Sequence, residues 1–294
     1  MTRRLHSMLA AHIGSELATR GIRPDDLRPL ETYTDAETVL LVGSYARGEA
    51  TTESDLDIAI LCDEVPDRPA GTPGYASVVG ESVIAGSAGG MVLTVEYLRR
   101  DMVRRIRAVL GGIPGSPDSP SMANLGALEL RTLERVGTGI LLQQAETDRD
   151  LVGGIDLERA RANKAALAFR LAVGHLRAAA DQAADPAAAA LRRGEAVQSL
   201  LIAEANAAGT LTFDTKHLLR RIGELPAGPA VTVLRRLRDP AVDSHAMTAD
   251  LHTACLDFLA RARLEPARAL IWTLLTPAVG VIEAMLRQIP RSVS

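Results

Sequence analysis

The chain has 294 residues, of which 47% are hydrophobic and 23% charged. That is material for about two folded domains and excludes a disordered chain. A formal net charge of −3 argues against a bulk polyanion binder, because nucleic-acid-binding domains usually carry a basic surplus. Two cysteines, Cys62 and Cys255, exclude a disulfide scaffold and a cysteine-rich zinc module.

Taken in chain order, Leu5, Met8, Leu9, Ile13 and Leu17 recur at three- and four-residue spacing, which predicts an amphipathic helix over 2–20 ended by Gly21. Its basic start lacks the unbroken apolar run of a signal peptide, since His6, His12 and Glu16 interrupt it. Residues 21–36 read as a loop. Thr38 to Val42 and Leu56 to Leu61 read as strands. A Pro/Gly-rich loop covers 66–74. Two further strands are expected at 79–85 and 91–98, joined by a turn at 86–90, and then a helix at 99–110.

The stretch 111–121, GGIPGSPDSPS, reads as a linker. Beyond it the pattern is helical, with elements expected at 123–143, 156–182, 187–208, 214–223, 228–238, 246–262 and 266–288. The longest uncharged apolar run, Ala269 to Ile282, is shorter than the roughly 20 residues that cross a bilayer. It reads as a buried helix. The expected fold is α+β: a small α/β domain with a mixed sheet over 1–118, then an all-α helical bundle over 119–294. A cytoplasmic protein with reduced thiols is expected.

The chemistry concentrates in Leu40-Leu41-Val42-Gly43-Ser44-Tyr45-Ala46-Arg47-Gly48, followed by Ser54-Asp55-Leu56-Asp57-Ile58. A strand ends in Gly-Ser, and about ten residues later an Asp-x-Asp opens a second strand. Residues i and i+2 of a strand share a face, so Asp55 and Asp57 project together with Leu56 turned to the core. Two adjacent carboxylates repel, and a divalent cation relieves the repulsion. Magnesium suits such a place, because it takes a few carboxylate oxygens together with substrate phosphates. Gly43 allows close approach to the backbone, and the Ser44 hydroxyl can hold a phosphate oxygen.

This ordered set resembles the nucleotidyltransferase fold of the DNA polymerase β superfamily. Its Gly-Ser-x-Ala-Arg-Gly and Ser-Asp-Leu-Asp segments are similar to those of minimal and aminoglycoside-type nucleotidyltransferases. The resemblance is strong over residues 39–61 and extends by element order to about residue 110. It implies that Gly43 and Ser44 hold a nucleoside triphosphate and that Asp55 and Asp57 bind Mg²⁺. It also implies a third carboxylate on a later strand, for which Glu96 in Leu93-Thr94-Val95-Glu96-Tyr97-Leu98 is the candidate. Glu96 would be a metal ligand or the base that takes the proton of the attacking hydroxyl. Glu81 is a weaker substitute. Arg47 would neutralise phosphate charge from the turn.

In the second half, the helix through Gly194, Glu195 and Asn206, followed by Phe213-Asp214-Thr215-Lys216-His217-Leu218-Leu219, more loosely resembles the helical domain of the same enzymes. His217 stands where those relatives have an aromatic residue. By that resemblance Lys216 would contact the triphosphate. It is one of only two lysines in the chain, beside Lys164, among 33 basic residues. Glu195, Glu204 and Asp214 would receive a cationic substrate. Arg170 and His175 also have the Arg-x4-His spacing of the helical HEPN ribonucleases, a competing signal.

The expected activity is Mg²⁺-dependent transfer of an NMP group from an NTP to a hydroxyl of a small molecule, an aminoglycoside or a natural-product intermediate, in resistance or biosynthesis. A protein acceptor, as in antitoxins that modify a partner toxin, and a non-catalytic nucleotide-binding module are the alternatives. The expected partners are the nucleotide and acceptor, with homodimerisation open, no membrane, and polynucleotide disfavoured by the 3% aromatic content.

Overall fold

The computed structural model describes residues 5–33, 38–65, 74–77, 80–111, 125–211, 229–237 and 244–289. The protein is α+β and divides into two compact units. The first takes in residues 5–111 and 125–155, and the second begins at Asp156. The helix and strand that follow residue 118 therefore belong with the first unit.

In that unit the helix α1 (Leu5–Thr19) and a 3-10 segment (Pro24–Tyr33) precede β1 (Val39–Val42), a single helical turn α2 (Gly43–Ala46) and β2 (Leu56–Cys62). Next come β3 (Gly74–Ser77), β4 (Gly80–Ala88), β5 (Met91–Arg99), α3 (Arg100–Gly111), α4 (Ala127–Thr138), β6 (Ile140–Gln143) and the short α5 (Arg149–Gly153). The six strands form one mixed sheet in the order β3-β4-β5-β2-β1-β6. Only β2 and β5 run parallel; the other pairs are antiparallel.

Strand alternation sends side chains to two faces. Val39, Leu41, Leu56, Ile58, Val95 and Tyr97 pack on one side with Leu9, Ile13 and Leu17 of α1. Leu40, Val42, Ala59, Leu61 and Leu98 pack on the other with Val103 of α3, Val136 of α4 and Leu151 of α5. The strand registers put Asp57 opposite Thr94 and Ala59 opposite Glu96. All four thus lie on the face covered by α3 and α4.

Three local readings of the sequence change. The expected loop 21–36 contains the 3-10 segment, and the expected Pro/Gly loop ends in β3. The expected helix 123–143 stops at Thr138. Gly139 is extended (φ −69, ψ 148), and a Cβ there would meet the Arg135 carbonyl at 2.6 Å and a Leu40 methyl at 3.1 Å. The chain leaves the helix at that point, and Ile140–Gln143 pairs along β1.

The second unit is helical: α6 (Leu157–Asp181), α7 (Pro186–Ala207), α8 (Pro229–Leu237), α9 (Ser244–Leu264), α10 (Ala269–Leu275) and α11 (Val279–Arg287). Asp156 caps α6 through the Arg159 N–H, and Asp185 caps α7 ahead of Pro186. Small alanines let α6 and α7 lie close. Phe169 stacks on Phe258 with ring centroids 4.5 Å apart at the centre of the core. The expected helix 266–288 is broken by 3-10 turns at Pro266–Arg268 and Thr276–Ala278, as Pro277 requires. Taken as one piece, Pro266–Arg287 is long and apolar enough to cross a membrane by length and composition alone. The expected helix 214–223 lies outside the described residues.

Candidate active site

The site begins where β1 ends. Gly43 turns the chain with φ +73, a left-handed conformation that only glycine adopts without strain. It is crowded as well. A Cβ on Gly43 would stand 2.5 Å from Asp57 Oδ2 and 3.4 Å from Arg135 Nη1. The glycine thus admits a carboxylate of the chain itself, from the neighbouring strand, where Val42 pairs with Asp57.

The turn after Gly43 is braced from several directions. Glu49 N–H donates to the Ser44 carbonyl at 2.8 Å, and Gly48 N–H to the Tyr45 carbonyl at 3.2 Å. Arg20, just past α1, donates to the Tyr45 hydroxyl at 2.5 Å and to the Ser54 carbonyl at 2.8 Å. One guanidinium thus ties the Gly-Ser turn to the residue before Asp55. Ser44 is half-buried, and Asp55 is exposed at the mouth of β2.

Asp57 is half-buried, and its carboxyl is pushed up to about 6. Burial is the largest cause. The neighbouring charges of Glu96 and Asp55 add to it, while Arg135 and a hydrogen bond with Thr94 oppose it. Asp55 and Glu96 therefore each lie within electrostatic reach of Asp57. Glu96 is 5% exposed. Its Oε1 accepts from Arg135 Nη2 at 2.6 Å, and its Oε2 is buried without a hydrogen-bond partner among the described residues.

Sequence reasoning gave Arg135 no role. It lies on α4 beside the core positions Leu133 and Val136, so a charged residue on an apolar helical stripe was the available signal. Burial of a guanidinium is costly unless carboxylates receive it. Here Glu96 and Asp57 do, and with Glu134 they hold its pKa raised even though burial, the largest influence, pulls it down.

Arg47 sits differently from the expected phosphate contact. Its side chain is 7% exposed and pairs with Glu49 at 2.8 Å and with Glu134 of α4 at 3.4 Å. It would have to give up these pairs to reach a ligand. Glu81 lies on β4 in register with Ala76, and its side chain is outside the described set. Lys216, His217 and Asp214 lie outside the described residues.

In the helical unit Glu195 pairs with His175 at 3.1 Å and with Arg192 at 2.8 Å. Glu204 accepts from Arg261 and, at 3.2 Å, from Arg268. Both acidic candidates are thus neutralised within their own unit.

Hard oxygen donors are what Asp55 and Asp57 offer. Among the described residues no group of three or more His, Cys, Asp and Glu side chains is gathered as a metal cage. Two carboxylates nevertheless fit magnesium, which is commonly held by one or two of them together with substrate phosphates. The raised Asp57 carboxyl marks negative charge that a cation would relieve.

No curated protein matches this chain. The family model described as a nucleotidyltransferase domain matches residues 30–108, a span that runs from before β1 into α3 and contains Gly43, Ser44, Asp55, Asp57 and Glu96. Strand, Gly-Ser turn, paired aspartates and a carboxylate on the adjoining parallel strand all fall inside it, and this part of the chain has the nucleotidyltransferase fold.

Proposed function

We propose that this chain is a magnesium-dependent nucleotidyltransferase that moves an NMP group from an NTP to a hydroxyl of a small-molecule acceptor and releases pyrophosphate. The observation that carries the reading is the convergence of Asp57 and Glu96 on one sheet face beside the Gly43 turn, inside the matched domain.

In this reading Ser44 and the backbone of the turn hold the terminal phosphates, and Asp55 and Asp57 hold Mg²⁺. The ion supplies electrostatic stabilisation of the charge that develops on the phosphate oxygens. Glu96, fixed through Oε1, takes the proton of the attacking hydroxyl on Oε2. The acceptor oxygen bonds to the α-phosphorus, and the bond from that phosphorus to the pyrophosphate oxygen breaks. Positioning contributes most of the remainder. Arg20 serves it by holding the two loops in register, and Lys216 is proposed as a further contact to the triphosphate. The net charge of −3 and 3% aromatic content favour a small cationic acceptor over a polynucleotide, and a cytoplasmic location accords with two unpaired thiols.

A second reading, a nucleotide-binding module without transfer, is favoured by one observation: Glu96 is already engaged by Arg135. Pyrophosphate release from each of the four NTPs with Mg²⁺, across a panel of aminoglycosides and other polyols, separates the two. Acceptor-dependent release that vanishes in Asp57→Ala supports transfer. Mg²⁺-dependent NTP binding with no release across the panel supports the module. Absence of NTP binding overturns both.

A further inference from the structure

We propose that Arg135 is a built-in cation of this site, and that the chain consequently holds one divalent ion, on Asp55 and Asp57, rather than a bridged pair. The inference rests on the magnesium-dependent reading above and deepens it. It starts from the ion pair between Arg135 and Glu96, 2.6 Å long with both side chains under a tenth exposed.

The charges are three carboxylates, at Asp55, Asp57 and Glu96. A second divalent ion would need oxygens from Asp57 and Glu96 together, since Asp55 and Asp57 are the donors of the first. Arg135 already stands between those two. Its Nη2 is on Glu96, and its Nη1 and Asp57 Oδ2 both crowd the same point beside Gly43. A guanidinium stays charged at any physiological pH, so it cannot leave by losing a proton. Expelling it would strand a buried cation, and its Nε is already without a hydrogen-bond partner among the described residues. The helix that carries Arg135 is anchored on the sheet face by Val136, with Leu128 packed beside it, which limits withdrawal. Glu96 is therefore committed to Arg135 by one oxygen, and it stands outside any cage of three such ligands among the described residues. Arg135 also comes from beyond the segment that matches the nucleotidyltransferase domain.

The test counts ions directly. Mn²⁺ binding to the full chain is measured by equilibrium dialysis with inorganic tripolyphosphate as a base-independent probe, and the spin coupling between bound ions is read by electron paramagnetic resonance. One uncoupled Mn²⁺ per chain is expected for the wild type and for Glu96→Gln, and two coupled ions are expected for Arg135→Ala. Two coupled ions in the wild type overturn the inference and leave the proposed transfer standing. A count that falls in Glu96→Gln makes Glu96 a ligand and overturns it equally, as does Arg135→Ala remaining at one. If Arg135→Ala does not fold, the wild-type and Glu96→Gln counts decide. No bound Mn²⁺ in the wild type overturns this inference and the metal-dependent reading beneath it.

Discussion

The carboxylate of Asp57 lies against the Cα of Gly43, so close that a Cβ on residue 43 would stand 2.5 Å from Oδ2. The backbone there is also left-handed, at φ +73. Gly43→Ala therefore meets two penalties. The conformation costs roughly 1–2 kcal/mol for an L side chain, and the clash pushes Asp57 off its position. The expected outcome is a melting temperature lower by several degrees and loss of most of the proposed pyrophosphate release. Wild-type release from Gly43→Ala would show that the contact is incidental.

Asp57 carries its charge at a cost in the ion-free protein. Its folded carboxyl is raised from 3.8 to about 6 by burial first and by Glu96 and Asp55 next. The folded state thus binds this proton more tightly than the unfolded one. Between about pH 4 and 6 the group lowers stability as pH rises, and above 6 the full penalty, roughly 3 kcal/mol at most, is present. Asp57→Asn should be more stable than wild type by about 1–3 kcal/mol at pH 7.5 in chelator. The difference should close as the pH falls toward 4. Urea unfolding at the two pH values reads this directly.

Asp148 works in the opposite sense. It is 1% exposed and accepts from the Thr38 hydroxyl at 2.6 Å and from Arg100 at 2.9 Å. Burial pushes its carboxyl up, but the hydrogen bonds from Arg100 and Thr38 outweigh it, and the carboxyl is held below the usual range. Its contribution is present above about pH 4 and is lost as pH falls through the lower folded value. Asp148→Ala leaves Arg100 without its main partner and should cost about 3–5 kcal/mol at neutral pH. The midpoint of urea unfolding, followed in the sheet-containing unit, checks it.

Glu204 is the acidic hub of the helical unit. It joins Arg261 of α9 to Arg268, which stacks over Phe258. Glu204→Ala removes the buried carboxylate shared by Arg261 and Arg268 and leaves them Asp257 and Glu265, so it should cost about 1.5–3 kcal/mol, while Glu204→Gln keeps part of the hydrogen bonding and costs less. Amide hydrogen exchange should show loss of protection in α6, α7 and α9, with the sheet unchanged. Uniform loss across both units would refute an effect confined to the helical core.

The parts of the site that the sequence made legible are those written in short range. Gly43-Ser44 and the Asp55/Asp57 pair follow from turn chemistry and strand periodicity, while Glu96 follows only from the resemblance to a family with a third carboxylate on a later strand. The helices α6, α7 and α9 fall on the helical stretches expected at 156–182, 187–208 and 246–262. What stayed hidden depends on side chains that meet across long separations. Arg135 reaches Glu96 from 39 residues away, and the partners of Arg47 lie partly on the same helix. A periodic pattern records that a position is buried, and it does not record what a charged residue there will find. The expected helix 123–143 takes in the strand at 140–143 because Ile140-Leu141-Leu142 fits either period. The constraint that settles it, the contact of Gly139 with β1, is tertiary.

Strand β6 occupies the outer side of β1, and both β6 and α4 come from beyond the segment that matches the nucleotidyltransferase domain. Until Ile140–Gln143 has been synthesised, β1 presents bare amides and carbonyls on one flank, the kind of edge that invites pairing with another chain. A nascent chain that has emerged only through α3 therefore has its paired aspartates without the arginine that neutralises their neighbour Glu96, and a sheet still open to the wrong partner. Assembly of the carboxylate cluster and protection of the sheet edge are completed by one and the same short stretch of polypeptide.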